Sequence, residues 1–291
     1  MSDPLVLVHG GAGNVPEARR ETHLEGCRRA AERGGEVLDA GGSAVEAASA
    51  AVVVLEDDNN FNAGTGCALD RNGRVSLDAA VMCGATLNAG AVAALPPFRN
   101  PVLLAVRLLE RREVLIVGPA AAAWAAAEGF ELLPDDAMIT PGSRREWQRV
   151  IDRGEVSNWA GGTVGAVARD AQGRLAAATS TGGAMGKPPG RVGDSPLIGM
   201  GTYADGHAAI SATGDGEAFI RTVFAARVAD AIAAGAAPEA ALKAGLERVH
   251  SQAGGNGGAI LVGPTGGPVA ARHAEFMSHA WWTPAGSGVG S

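Results

Sequence analysis

Leu5-Val6-Leu7-Val8 is a short apolar run that ends in His9-Gly10-Gly11-Ala12-Gly13, the signature of a buried strand running into a sharp turn. From about residue 16 to 40 the period changes: apolar positions recur at helical spacing among many Arg and Glu, and the pattern stops at Gly41-Gly42. Ser43-Ala44-Val45-Glu46 has the form of a capping box, and the nearly uncharged helix it opens through Val54 is expected to lie between layers. Leu77 to Met82 and Gly90 to Leu95 read as strands. Arg99-Asn100-Pro101-Val102 opens a helix to about Arg112, Val114 to Val117 is another apolar run, and an alanine-rich helix follows from about 119 to 128. After the breaker Thr140-Pro141-Gly142, a second capping box is read at Ser143-Arg144-Arg145-Glu146, and residues 152 to 162 are a polar, glycine-rich linker. Two small-residue runs then flank Asp170-Ala171-Gln172-Gly173, predicting a hairpin whose first strand begins at Thr163. Ala208 to Ser211 is a further strand, a helix is expected from about Gly216 to Ala234, and Asn256 to Val262 with Pro268 to Ala271 form a second hairpin.

A chain of 291 residues, 46% apolar and with 43 glycines, is long enough for a large core and turn-rich enough for one sheet-based domain. The 24 basic and 31 acidic residues leave a net charge of -7, which argues against a phosphate-backbone partner, so no nucleic acid is expected. Cys27, Cys67 and Cys83 lack C-x-x-C spacing and read as small buried hydrophobes in a reduced chain. Met1-Ser2-Asp3-Pro4 has no signal-peptide character, and the apolar runs fall short of the ~20 residues of a membrane span. The expectation is a cytoplasmic protein without a membrane partner.

Candidate chemistry sits at the start of the predicted hairpin. Thr163 places a hydroxyl directly behind Gly161 and Gly162, and a glycine peptide can adopt strained geometry that opens its carbonyl to the neighbouring hydroxyl. Cleavage there would give Thr163 a free α-amine, with a reference pKa of roughly 7.7 to 8.0, so that nucleophile and base belong to one residue. Taken alone, these residues favour the start of an ordinary β-branched strand. Two other motifs fail on inspection. Asp58, Asn60 and Asn62 have calcium-loop spacing, but Ala63 and Leu69 stand where Gly and Glu are required. Gly182 to Lys187 is one residue short of a phosphate loop and is followed by Pro188.

Gly162-Thr163-Val164-Gly165-Ala166-Val167-Ala168, Ala176-Ala177-Ala178-Thr179-Ser180-Thr181-Gly182-Gly183 and Gly190-Arg191-Val192-Gly193-Asp194-Ser195-Pro196, in that order, resemble the plant-type asparaginase and isoaspartyl peptidase family of N-terminal-nucleophile hydrolases. The resemblance spans nearly the whole chain. It implies an α+β fold, a four-layer αββα sandwich with two stacked, mainly antiparallel sheets, in a single domain over 1–291 that cuts itself between Gly162 and Thr163 into subunits 1–162 and 163–291. It also implies hydrolysis of the side-chain amide of L-asparagine or of β-aspartyl dipeptides, with Thr163 as nucleophile. Thr181 would neighbour that nucleophile and hydrogen-bond to it, and Asn62 would lie beside it. Thr213 and Gly214 would stabilise the oxyanion at a helix start. Arg191 and Asp194, with Gly183, Thr213 and Gly214, would bind substrate, since a guanidinium grips a carboxylate and a carboxylate takes an ammonium; a salt bridge between Arg191 and Asp194 is the alternative.

No catalytic cofactor is implied. The family's structural sodium ion would be held by the backbone carbonyls of Val53, Glu56, Asp58, Phe61, Ala63 and Thr65, and the assembly would be a homodimer of αβ units. His9 is read as structural. Phe276 and Met200 depart from the family pattern and bear on the shape of the pocket. A glycosylasparaginase-like amidase and an unprocessed small-molecule binding protein stand as alternatives.

Overall fold

The computed structural model describes residues 3–157 and 162–291, so part of the predicted linker before Thr163 lies outside the described residues. Eight strands form the larger sheet: β1 (Leu5–Gly13), β2 (Leu77–Cys83), β3 (Ala89–Leu95), β4 (Leu115–Val117), β5 (Val164–Arg169), β6 (Leu175–Thr181), β11 (Phe276–Thr283) and β12 (Gly286–Gly290). Their order is β12-β11-β1-β5-β6-β2-β3-β4, antiparallel throughout except for the β3–β4 pair. The smaller sheet, β10-β9-β8-β7, is antiparallel and comprises β7 (Thr202–Ala204), β8 (Ala209–Gly214), β9 (Gly257–Val262) and β10 (Val269–Arg272).

Three apolar layers separate these sheets and their helices. Strand β1 shows how the pleat feeds two of them: Val6 and Val8 join the layer shared with α1 (Glu17–Asp39), α2 (Ala44–Asp57), α3 (Pro101–Leu108) and α4 (Gly118–Ala127), while Leu5 and Leu7 join the layer between the sheets. That inner layer meets Ile260 and Val262 of β9. A third layer, with Ile210, Phe219, Phe224, Leu242 and Leu246, lies between the smaller sheet and α6 (Gly216–Thr222), α7 (Phe224–Ala233) and α8 (Pro238–Ala253). The result is the helix, sheet, sheet, helix sandwich, in which strands buried on both faces lose the polar alternation of a surface strand.

Several local expectations are refined. The capping box at Ser43 and Glu46 forms, with the Ser43 N–H donating to Glu46 Oε2 at 2.7 Å. The second box is shifted: α5 (Pro141–Arg153) is capped by Thr140, whose hydroxyl accepts from Ser143 N at 3.1 Å, and Glu146 instead pairs with Arg149. The helix expected from 216 to 234 breaks at Val223, whose φ of 51° ends α6 and starts α7 at an angle no continuous helix permits. The C-terminal hairpin of β11 and β12, which closes the larger sheet beside β1, is an addition to the sequence reading. Among the described residues no helix is long and apolar enough to cross a membrane.

Candidate active site

Thr163 lies at the mouth of β5, directly before Val164. Strand β5 pairs with β6 in a register that matches Val164 with Ser180, so the next rung outward sets Thr163 across from Thr181. The threonine is buried, and its Oγ1 lies 3.3 Å from Ser195 Oγ. Gly162 has φ of 98°, in the left-handed region that a side chain disfavours, as the sequence reading of this peptide anticipates. A Cβ on Gly162 would lie 3.1 Å from Thr213 Oγ1, which places the end of β8 beside the Gly162–Thr163 peptide.

Thr213 is fully buried and its hydroxyl accepts from Ala12 N at 3.1 Å. Accepting in that bond leaves its own proton free to donate. Gly214 follows with φ of 147°, and Asp215 is the N-cap of α6. Thr181 is engaged with the loop beyond β6: its Oγ1 accepts from Gly183 N at 2.9 Å, where the resemblance implies a bond to the nucleophile. Asn62 braces the same loop from the other side. Its Nδ2 donates to the Gly183 carbonyl at 2.7 Å, its Oδ1 accepts from Ala68 N at 2.8 Å, and its carbonyl accepts from Gly182 N at 3.0 Å.

Arg191 and Asp194 flank this loop, and the structure separates their roles. Arg191 makes a two-point bond to Glu217 in the first turn of α6, at 2.9 and 2.8 Å, so its ion pair is with Glu217 and not with Asp194. Burial works against the Arg191 charge, yet the Glu217 hydrogen bonds and charge raise its pKa overall, and the same bonds lower that of Glu217. Asp194 is buried, and among the described residues its Oδ2 has no hydrogen-bond partner. Desolvation pushes its pKa up to about 7, against a backbone hydrogen bond and the pull of Arg191. Gly201 leaves room there, since a Cβ on it would lie 2.6 Å from that oxygen. An orphaned, buried carboxylate oxygen beside a guanidinium lacks a cationic donor of its own, which a ligand ammonium would supply.

The sequence reading missed a second buried pair behind the site. Lys187 is fully buried, donates to the Ser76 carbonyl at 2.9 Å and stands 3.9 Å from Asp78 Oδ2. Burial pushes both groups toward their neutral forms, each opposed by the other's charge. Glu217 and Ser195 were also missed. Ser195 stands inside one of the quoted motifs and Glu217 a few residues after Gly214, but only the tertiary pairing shows what they touch. Met200 follows the loop that carries Asp194. Phe276 is buried at the start of β11 with the Arg20 guanidinium 5.0 Å from its ring.

The loop proposed to hold a cation folds back on itself. The Glu56 carbonyl accepts from Thr65 N at 2.9 Å and the Asp58 carbonyl from Phe61 N at 3.1 Å, which leaves each oxygen a lone pair. Oxygen donors of this kind suit a hard cation such as sodium. The Glu56 side chain points elsewhere, to Val102 N at 3.0 Å, and burial pushes its pKa up to about 8.

The sequence model of the family described as Asparaginase matches residues 2–289. The chain is 40% identical over 282 residues to the isoaspartyl peptidase/L-asparaginase of Xenopus laevis, covering 95% of this chain and 91% of that one. It is 42% identical over 271 residues to the Bos taurus protein of that name, covering 91% and 88% of the two chains, and 41% identical over 275 residues to the Homo sapiens one, covering 92% and 89%.

Proposed function

We propose that this chain, which belongs to the asparaginase family, is a threonine hydrolase that cuts itself before Thr163 and then releases L-aspartate from L-asparagine or β-aspartyl dipeptides. The relatives named isoaspartyl peptidase/L-asparaginase support both substrates. The observation that carries the reading is the buried Asp194 oxygen without a partner among the described residues, in the same segment as Arg191 and directly before Ser195, the neighbour of Thr163 Oγ1. An L-aspartyl group brings one ammonium and one carboxylate. Asp194 would take the first and Arg191 the second, sharing its fork with or releasing Glu217.

In processing, the Thr163 oxygen attacks the Gly162 carbonyl carbon, its proton passes to the departing nitrogen as the C–N bond breaks and frees the Thr163 amine, and water then hydrolyses the resulting ester to give the Gly162 carboxylate and the free Thr163 hydroxyl. In turnover, the same oxygen attacks the side-chain carbonyl of the substrate. The amine accepts the hydroxyl proton and passes it to the departing ammonia or amine; water then cleaves the aspartyl ester and restores Thr163. The Thr213 hydroxyl and Gly214 N–H would carry the negative charge that develops on the carbonyl oxygen. A sodium ion on the carbonyls of Val53, Glu56, Asp58, Phe61, Ala63 and Thr65 would stiffen the loop around Asn62 and enter no step. A dimer of αβ units in the cytoplasm completes the proposal.

The test is mass spectrometry of the purified protein together with ammonia release from L-asparagine and cleavage of β-aspartyl-leucine. Two fragments meeting at Gly162 and Thr163, absent together with turnover in Thr163→Ala, are expected. A Thr163→Ala protein that still cleaves there would refute the mechanism. A permanently intact parent without turnover would favour a binding protein.

A further inference from the structure

Beneath Thr163 the two sheets are joined by polar side chains, all fully buried. His9 Nε2 of β1 lies 2.9 Å from Ser211 Oγ of β8, Ser211 Oγ lies 2.8 Å from Thr179 Oγ1 of β6, Thr179 Oγ1 lies 2.6 Å from Thr202 Oγ1 of β7, and Thr202 Oγ1 lies 2.8 Å from the Ser195 carbonyl. Room has been left for this arrangement. Gly165 pairs with both His9 and Thr179 in the sheet, and a Cβ on it would overlap the Ser211 hydroxyl and stand 2.6 Å from His9 Nε2.

Thr202 is the donor at one end, its hydroxyl proton within reach of both the Ser195 carbonyl and Thr179 Oγ1. At the other end Gly11 N–H donates to His9 Nδ1 at 3.3 Å, which leaves the proton of the neutral ring on Nε2, facing Ser211, with the Thr163 carbonyl a further acceptor at the ring. The opposite tautomer would turn two N–H groups at one another.

We propose that Ser195 is a further catalytic residue, its hydroxyl fixing the Thr163 oxygen for attack, and that a buried hydrogen-bond relay from His9 through Ser211, Thr179 and Thr202 holds its backbone in place. Ser195 follows Asp194, whose carbonyl accepts from Leu197 N at 3.0 Å and Gly201 N at 3.1 Å. One short segment therefore carries both the ammonium partner and the group against the nucleophile, and the relay sets the spacing between them. His9, Ser211, Thr179 and Thr202 touch no reacting atom and act as positioning residues.

The inference rests on Thr163 being the nucleophile, and two independent measurements test it. Nitrogen-15 NMR of histidine-labelled parent protein is expected to give a His9 ring protonated on Nε2 and bare on Nδ1; a ring protonated on Nδ1, or on both nitrogens at neutral pH, would overturn the relay. This readout needs neither processing nor turnover, so it stands apart from a failure of the hydrolase reading, which the parent's own cleavage and activity report. Ser195→Ala is expected to lower kcat about tenfold or more, the loss of one hydrogen bond to the reacting oxygen. Thr202→Val is expected to lower kcat about as far with KM within about twofold, and Thr202→Ser to restore it. Unchanged kcat in Ser195→Ala or Thr202→Val, or a Thr202→Ser enzyme as impaired as Thr202→Val, would refute the assignment.

Discussion

Replacing Asp194 by Asn should make the free protein more stable with rising pH while crippling the enzyme. In the folded chain the Asp194 carboxyl is raised by burial from 3.8 to about 7. A group whose folded pKa lies above its unfolded value binds its proton more tightly when folded, so stability falls as pH rises between those values. The shift of about 3 units at about 1.4 kcal/mol each sets an upper bound of about 4 kcal/mol, absent below pH 4 and fully expressed above pH 7. The asparagine amide brings its own cost, about 1 to 3 kcal/mol for an N–H group without an acceptor, but that cost is independent of pH. The difference in unfolding free energy between Asp194→Asn and the parent should therefore climb in favour of the variant from pH 4 to 7 and then level off. Glu56 and Asp78, which burial also raises, are present in both proteins and cancel. Urea unfolding at half-unit steps of pH measures it, with kcat/KM for L-asparagine measured alongside and expected to fall at least about a hundredfold, because the substrate ammonium loses its charged partner. A flat difference across this range would show that Asp194 is not held as a buried, unpartnered carboxyl.

Arg191→Ala in processed enzyme should cost about 2 to 5 kcal/mol in kcat/KM, several hundredfold or more, while cleavage before Thr163 proceeds, since the precursor offers no free aspartyl group; undiminished turnover of β-aspartyl-leucine would contradict the assignment. If the Thr163 amine is the base, kcat should fall on the acid side as that amine takes a proton, and the limb should persist in Asp194→Asn; a profile flat down to the carboxylate range points to another base. Glu56→Gln should stay within about 1 kcal/mol of the parent at pH 7, because burial already holds Glu56 protonated there, whereas Glu56→Ala strands Val102 N and leaves a void worth about 2 to 4 kcal/mol; thermal unfolding of the pair decides it. Gly165→Ala should destabilise by about 1 to 3 kcal/mol or more and slow turnover, since its methyl group would occupy the space of the Ser211 hydroxyl; a stable, fully active variant would contradict the packing.

Much of the fold was present in the linear pattern. The apolar run of β1, the capped α2, and the hairpin of β5 and β6 are local: each is set by a period, a cap or a turn within a few residues, so neighbouring side chains suffice to specify it. Thr163 and its glycine were legible as a candidate for the same reason, and the family resemblance supplied Arg191, Asp194 and Thr213. What the tertiary structure decided is which polar groups meet. The Arg191 fork closes on Glu217, 26 residues away, and Thr181 turns to the Gly183 amide. Lys187 is buried against Asp78 across more than a hundred residues, and His9 reaches Ser211 across 202. No periodicity encodes such partners, because hydrogen bonds and ion pairs depend on the register of strands and the stacking of sheets. The break at Val223 is of the same kind, a helical sequence overridden by the packing of α7 onto the smaller sheet. The sequence by itself determined most of the elements and the candidate nucleophile; the stacking of two sheets determined the environment of that hydroxyl.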